Sequence, residues 1–326
     1  MNPGPSREAE VLVVGGGLIG ACMAFTLRQA GYAVTVLDAD LPGAAWRAGA
    51  GLLSPDAEGL TPGTPLGVCA AESLRQWPDF ARQLEGASGL SVHYREGVRC
   101  RQPDGTWAVT PGEAQLHPPS VVRAARQGLP LHTERVLHVQ SRAGRVLLNT
   151  DQGTWPARAV VLAAGAWSAA FGLPVTPVQG QALLLALDGS ADAAAYAGRR
   201  RGSGARAYTL TRPDGVYVGA TVRHSASVQP DPQARRWLLA AAGRFGLDGA
   251  SGAATLVGLR PGTPDGRPIV APHPVHAGVV VATGHGRHGA LLAPWTARRV
   301  LGLVERALAG SARPPRERVS VAQGAR

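Results

Sequence analysis

The 326-residue sequence contains no lysine. All 33 basic residues are arginine, set against 22 Asp and Glu, so the formal charge is +11. A chain without lysine has no side-chain amine for a Schiff base, which excludes that route to covalent catalysis. Cysteine is scarce: Cys22, Cys69 and Cys100 form no C-x-x-C pair, and an odd count does not suit a disulfide framework. Aromatic residues make up 5% and charged residues 17%, while 45% are apolar, ample for a core and too many for a disordered chain. Long apolar runs are also missing. None reaches the ~18–20 residues that cross a bilayer, so no membrane span is expected. The 43 glycines and 26 prolines follow no period, which excludes collagen and coiled coil. There is no G-x-S-x-G, Walker A or H-E-x-x-H pattern, so hydrolase and P-loop chemistry have no foothold. Met1 to Glu10 holds no apolar stretch of the signal-peptide kind, and the expected compartment is the cytoplasm. The length suggests about two domains.

The surplus of positive charge raises nucleic-acid binding as a question. The arginines are scattered from Arg7 to Arg326, and the dense cluster Arg199-Arg200-Arg201 has no interleaved aromatics. The expectation is a solvated surface without a nucleic-acid partner. The spaced pairs His285/His288 and His273/His276 have no Cys or carboxylate at familiar spacings, so no metal site is expected.

The strongest local signal is EVLVVGGGLIGACMAFTLRQAGYAVTVLD at residues 10–38. The apolar run Val11–Val14 reads as a strand. It enters Gly15-Gly16-Gly17-Leu18-Ile19-Gly20, a G-x-G-x-x-G match, followed by a helical stretch to Ala30 that stops at Gly31. A second strand ends at Asp38, 23 residues after Gly15. Gly15 permits the tight turn, Gly17 lets backbone approach a pyrophosphate, and Gly20 lets helix and strand pack closely. The anion would sit at the helix N-terminus. Asp38 is placed to accept hydrogen bonds from ribose hydroxyls and disfavours a 2′-phosphate. This fingerprint serves NAD and FAD alike.

Two further strand-to-glycine elements bear on that choice. RAVVLAAGAWS at 158–168 leads into Ala163-Ala164-Gly165, and GVVVATGHGRHGALL at 278–292 leads into a helix reaching about Gly310. The dinucleotide fold therefore opens at the N-terminus and is completed at the C-terminus, a layout that favours a flavoprotein. Between them lie PVTPVQGQALLLA at 174–186 and AYTLTRPDGVYVGATV at 207–222, the latter a hairpin around Pro213-Asp214-Gly215. Residues 88–109 hold two more short β-like stretches with Asp104-Gly105 as a turn. Pro232 to Gly246 reads as a helix. In LVGLRPGTPDGRP at 256–268 a strand-like entry gives way to a Pro/Gly loop, expected to hold Arg260 on stiff backbone.

Taken in order, VLVVGGGLIG, AGAGLLSP at 48–55, VVLAAGAWS, GVYVGATV, LVGLRPGTPDGRPIV and VATGHGRHGALLAPWTARRV resemble the D-amino-acid oxidase superfamily, most closely its glycine oxidase branch linked to thiamine synthesis. The resemblance runs nearly end to end and is strongest over 258–299. It implies an α/β fold: a Rossmann-like domain binding FAD non-covalently, with an inserted, mainly antiparallel α+β substrate domain. The expected division is 8–87, 116–176 and 258–311 for FAD, 88–115 and 177–257 for substrate, and tails at 1–7 and 312–326. The implied activity is oxidative deamination of glycine, sarcosine or small D-amino acids by hydride transfer to flavin N5, with oxygen as acceptor and hydrogen peroxide as product. A dehydrogenase passing electrons to a quinone or dye, and a flavin-binding protein without turnover, are the alternatives. Family members are often tetramers, which makes a homo-oligomer compatible with the resemblance.

Site residues carry over by position. Arg260 aligns with the arginine that pairs with the substrate carboxylate, Tyr208 with a tyrosine that hydrogen-bonds it, and Arg287 with an arginine near substrate and flavin. Val222 stands where a flexible Met often lines the pocket. Gly15, Gly17, Leu18, Ile19 and Gly20 form the phosphate turn, and Asp38 stands where the family has a ribose-binding Glu. Ala50, Gly51 and Leu52 match the loop along the flavin. Val136 matches a valine whose backbone holds adenine, and Ala164 and Gly165 form the second glycine turn. Gly284, His285, Gly286, Arg287, His288, Gly289, Ala290 and Leu291 match the loop at the flavin pyrimidine. Arginine offers a planar fork for a carboxylate and tyrosine a neutral donor. No acid–base residue is required of such a site; positioning is enough. The chain departs from the family in three ways. It is several tens of residues shorter, the loss falling between Tyr94 and Leu116. Trp46 and Arg47 replace small, hydroxyl-rich residues, and Gly286 and His288 replace larger and amide side chains.

Overall fold

The computed structural model describes residues 9–56, 58–101, 107–142, 144–186, 207–247 and 250–311. The expected tails, the Asp104-Gly105 turn and the Arg199–Arg201 cluster lie outside these residues.

The first strand, β1 (Ala9–Val14), is apolar apart from Glu10 near its start and almost wholly buried, as a strand covered on both faces must be. The chain turns at Gly15, whose φ of 92° is open to glycine, into α1 (Leu18–Gln29). Gly31, with φ 91°, follows the helix and leads into β2 (Val34–Leu37), which runs parallel to β1. A loop with a short 3-10 turn at Ala45–Ala48 reaches β3 (Leu52–Leu53). The long helix α2 (Pro65–Ser88) begins at Thr64, whose hydroxyl accepts from the Gly67 N–H at 3.1 Å, with Pro65 in the first turn. Next, β4 (Arg95–Arg101) and β5 (Trp107–Gln115) pair antiparallel, and β5 also pairs with β3. After α3 (Pro118–Arg126), β6 (Leu131–His132) adds parallel to β2. A meander of β7 (Val136–Arg142), β8 (Arg145–Thr150) and β9 (Gly153–Leu162) returns the chain to the centre, where β9 lies parallel to β1.

The middle of the chain supplies β10 (Thr176–Leu185), the hairpin β11 (Tyr208–Arg212) and β12 (Gly215–Gly219), and the short β13 (Arg223–His224). Helix α4 (Pro232–Arg244) is capped by Asp231, which accepts from the Gln233 N–H at 2.8 Å. The chain then returns through β14 (Ala254–Gly262), β15 (Ile269–Pro272) and β16 (Val279–Thr283) to α5 (Gly289–Ser311).

Two larger sheets result. One has the order β15-β16-β9-β1-β2-β6, parallel from β16 to β6, with β8 also paired to β9. Helices α1, α2, α3 and α5 cover one face with a core that includes Phe25, Trp77, Phe80 and Leu292. The other sheet has the order β11-β12-β10-β13, with β14 on the opposite side of β10. Helix α4 packs Leu238 and Ala242 against Leu183 and Val218 of that sheet. No helix among the described residues is long and apolar enough to cross a membrane.

One local expectation is overturned. Arg260 does not sit in a Pro/Gly loop; β14 continues through Pro261 and Gly262, and Arg260 lies opposite Val178 of β10. Proline is tolerated because β14 is an edge strand, where one side of the backbone needs no ladder partner.

A Cβ at position 20 would strike the Gly15 carbonyl, and backbone cannot rotate away as a side chain can. Gly20→Ala is therefore expected to destabilise the fold by about 1–3 kcal/mol and lower the thermal midpoint by several degrees, measured by calorimetry without added ligand.

Candidate cofactor and substrate cavity

The carboxyl ends of the parallel strands open into one elongated cavity of about 1340 Å³ that continues beneath the second sheet. That exceeds the ~300–1,000 Å³ of ordinary small-ligand pockets and suits a dinucleotide plus a small substrate. One end is lined by Asp38, Glu134 and Val136, the middle by Gly15, Gly17, Leu18 and Ile19, the far end by Tyr208, Tyr217 and Arg260. Ala50, Gly51, Leu52, Ala164, Gly165, His285, Gly286, Arg287, Gly289 and Ala290 also reach it. Val222 lines it too, but is 63% exposed. Four expected residues do not line it. Gly20 packs against Gly15, and Leu291 is buried in the core at 2% exposure. Gly284 turns with φ 76° against Thr263, and His288 faces Glu58 instead.

At the phosphate turn, α1 begins at Gly17 with no side-chain cap, so its first-turn N–H groups are left for an anion. Asp38, at the end of β2, is partly engaged already. Arg126 of α3 forms an ion pair with its Oδ2 and donates from Nε to the Gly16 carbonyl at 2.7 Å. The Asp40 N–H donates to Asp38 Oδ1 at 3.3 Å. The guanidinium groups of Arg47 and Arg126 lie over the Trp46 ring, 5.0 and 5.6 Å from its centroid, and the edge of the ring lies against Gly17. Deeper at the same end, Glu134 accepts from Thr150 Oγ1 at 2.7 Å and Trp155 Nε1 at 2.9 Å. Nothing local in the sequence marks Arg126 or Glu134, whose partners are distant in the chain.

The loop along the middle of the cavity is held from behind. Buried Arg212 donates to the Gly49 carbonyl at 2.8 Å and to both Asp214 oxygens at 2.8 and 2.5 Å. Burial alone would raise the Asp214 pKa, but His117 and Arg212 outweigh it and hold the carboxyl well below its usual range. Tyr217, fully buried, donates to the Ala48 carbonyl at 3.2 Å.

At the far end, Tyr208 and Tyr217 have ring centroids 5.9 Å apart. Burial, reinforced by Tyr217 and Glu58, pushes the Tyr208 phenol well above its ordinary value, so it remains a neutral donor. Arg260 donates to the Thr221 carbonyl at 3.1 Å, and among the described residues no carboxylate pairs with it. Its guanidinium fills the space where a side chain at Gly180 would be. A half-buried arginine satisfied by one carbonyl has donors left for an anion. Arg287 differs: it pairs with Glu58 and donates from Nη2 to the Glu58 carbonyl at 2.9 Å.

The arrangement accommodates FAD. A long cavity, an uncapped helix N-terminus, a glycine turn and a buried His285 whose Nδ1 has no partner provide its contacts. His285 Nε2 lies 3.0 Å from Thr296 Oγ1. Burial, with a smaller push from His288, lowers the His285 pKa to about 3. An unfolded imidazole protonates near pH 6.5, so between about 6.5 and 3 the unfolded chain binds the extra proton. The stabilising contribution is complete above pH 6.5 and lost as pH falls toward 3. His285→Gln is expected to flatten the decline in stability between pH 6.5 and 4, read from urea midpoints.

The FAD dependent oxidoreductase family matches residues 10–99 and 70–303. Among individual relatives, the bifunctional protein ThiO/ThiG of Synechocystis sp. PCC 6803 is 31% identical over 342 residues, covering 91% of this chain and 51% of that protein. Glycine oxidase of Geobacillus kaustophilus is 28% identical over 370 residues, covering 92% of this chain and 94% of that protein. The chain thus spans about half the length of the bifunctional relatives and nearly all of the glycine oxidase. The crystal structure of the Geobacillus glycine oxidase superposes with a TM-score of 0.76 at 25% identity, over 92% of this chain and 95% of that one. Iminodiacetate oxidase from Chelativorans sp. BNC1 shares the fold, with a TM-score of 0.75 at 24% identity over 91% and 95% of the two chains. With a match across most of its length and a cavity fit for the dinucleotide, the chain belongs to the FAD dependent oxidoreductase family.

Proposed function

We propose that the protein is an oxidase of glycine or another small amino acid, with oxygen as acceptor and hydrogen peroxide as product. The observation that carries this reading is Arg260, a cation facing the cavity near Tyr208 with no carboxylate among the described residues to satisfy it. A substrate carboxylate completes its hydrogen bonding. The Tyr208 hydroxyl adds a neutral donor that burial keeps protonated. Held at that end, a small amino acid can direct its α-carbon toward the middle of the cavity. Bound FAD would supply the two-electron acceptor for the hydride leaving that carbon, with oxygen as the final acceptor.

The chain's own part is positioning. The Gly15–Gly17 turn and the α1 N-terminus suit the pyrophosphate, Asp38 and Val136 the adenosine, and Ala50 to Leu52 the flavin edge. The N-terminus of α5, with Gly286, Arg287, Gly289 and Ala290, faces the same cavity and favours negative charge there. The same reading divides the chain into an FAD domain at 8–87, 116–176 and 258–311 and a substrate domain at 88–115 and 177–257, although β14 crosses the boundary at 257/258. A cytoplasmic, oligomeric enzyme serving thiamine synthesis belongs to the same reading.

The test is an anaerobic screen of glycine, sarcosine and small D-amino acids that follows flavin bleaching, then peroxide on readmitting oxygen. Bleaching with peroxide supports the oxidase; bleaching with dye reduction and no peroxide selects the dehydrogenase; no bleaching sinks both. In the active protein, Arg260→Ala is expected to cost about 2–4 kcal/mol, seen as a roughly 30- to 1,000-fold rise in KM with FAD still bound. An unchanged KM would refute the carboxylate role.

A further inference from the structure

Arg223, Arg260 and Arg287 all line the cavity, and the chain treats them differently: Arg223 pairs with Asp231. Arg260, on β14, donates to the Thr221 carbonyl and pairs with no carboxylate among the described residues. Arg287, in the loop between β16 and α5, is tied down twice by a residue from the opposite wall. Its Nε pairs with a Glu58 carboxylate oxygen, and its Nη2 donates to the Glu58 carbonyl at 2.9 Å. His288 Nε2 approaches the same carboxylate oxygen at 3.5 Å. Glu58 and Arg287 both line the cavity, and Glu58 is near enough to Tyr208 to influence its phenol. The Glu58 side chain is 22% exposed and that of Arg287 is 53% exposed, so the pair lies at the cavity rim and can exchange partners with a ligand.

We propose that Glu58 is a specificity residue: by neutralising Arg287 it leaves Arg260 as the anchor for an anion and fits the cavity to amino acids with a single carboxylate. A second carboxylate would have to displace Glu58 from Arg287 and lie beside the displaced charge. Discrimination here rests on a repulsive element as well as an attractive one. Arg287 thus becomes a latent second anion site, closed by the chain's own carboxylate. This inference rests on the amino-acid oxidase reading for its substrates, but its charge logic applies to any anion entering the cavity.

Sarcosine and iminodiacetate differ by one carboxylate and make the direct comparison. Glu58→Gln keeps the size of the side chain and removes its charge. It is expected to raise kcat/KM for iminodiacetate relative to sarcosine by about tenfold or more, and adding Arg287→Ala is expected to abolish that gain. A ratio unchanged in the FAD-loaded Glu58→Gln protein would overturn the proposal. A second measurement needs neither turnover nor a variant. Acetate and malonate are titrated into the wild-type holoprotein, and the absorbance of the bound flavin is followed. Acetate is expected to act at concentrations about tenfold lower than malonate, and equal or reversed potency would overturn the proposal. A protein that oxidises no amine yet prefers acetate would remove the oxidase reading and leave the role of Glu58 standing.

Discussion

The carbonyl of Gly15 occupies the place where a side chain at position 20 would begin, and the site is arranged around that contact. It brings the first turn of α1 onto the end of β1. A side chain at Gly15 would likewise strike the Ala163 carbonyl, which seats β9 against the same turn. The Gly15 N–H donates to the Leu37 carbonyl at 2.8 Å, and the Ala163 N–H donates to Val14 at 2.8 Å. Three strands therefore end together: β2 delivers Asp38, β9 delivers Ala164 and Gly165, and β1 delivers the uncapped helix. Strand β16, parallel to β9, brings the α5 N-terminus to the same edge. A ligand crevice at the carboxyl ends of parallel strands is the expected consequence of this geometry.

The electrostatics of the cavity depend less on how many arginines reach it than on which remain unpaired. Asp38 takes Arg126, Asp214 takes Arg212, Asp231 takes Arg223, and Glu58 takes Arg287. The more exposed of these pairs, Arg223 with Asp231 and Arg287 with Glu58, add little stability. Their effect is to determine where positive charge is left over. Arg260 is left for a ligand because Gly180 makes room for its guanidinium and, among the described residues, no carboxylate follows it there. The +11 of the whole chain says little about this, since it is a sum over the chain and the site depends on local cancellation.

The parts of the site built from neighbours in sequence were legible there. The β1–α1–β2 unit follows from an apolar run, a glycine turn and a helix stop within 30 residues, and the α5 segment repeats that grammar. The β11–β12 hairpin was marked by Pro213-Asp214-Gly215 and forms as expected. What could not be read is contact across distance. Arg126 meets Asp38 from 88 positions away, and Arg287 meets Glu58 from 229 positions away. Arg260 was misplaced for a different reason. Pro261 and Gly262 suggest a loop by composition, but opposite Pro177 and Thr176 they continue an edge ladder. Proline signals the absence of a donor, and on the unpaired side of an edge strand that absence has no cost.

Two departures from the family pattern acquire physical meaning in the same way. Trp46 is bulky for a phosphate turn, but its ring packs against the guanidinium groups of Arg47 and Arg126 and closes the side of Gly17 that small residues would leave open. Arg126 in turn grips Asp38 and Gly16, so ring, cation and acid form one wall. The shortened stretch between Tyr94 and Leu116 is the β4–β5 hairpin. What remains of it still buries Val98 with Leu210 and Tyr217 beneath the second sheet, and β5 still pairs with β3 beside the cavity loop. The hairpin thus supports Tyr217, whose hydroxyl donates to the Ala48 carbonyl and whose ring lies beside that of Tyr208. A shorter hairpin is compatible with an intact substrate end because that support comes from one buried valine and one strand pairing, both of which the chain retains.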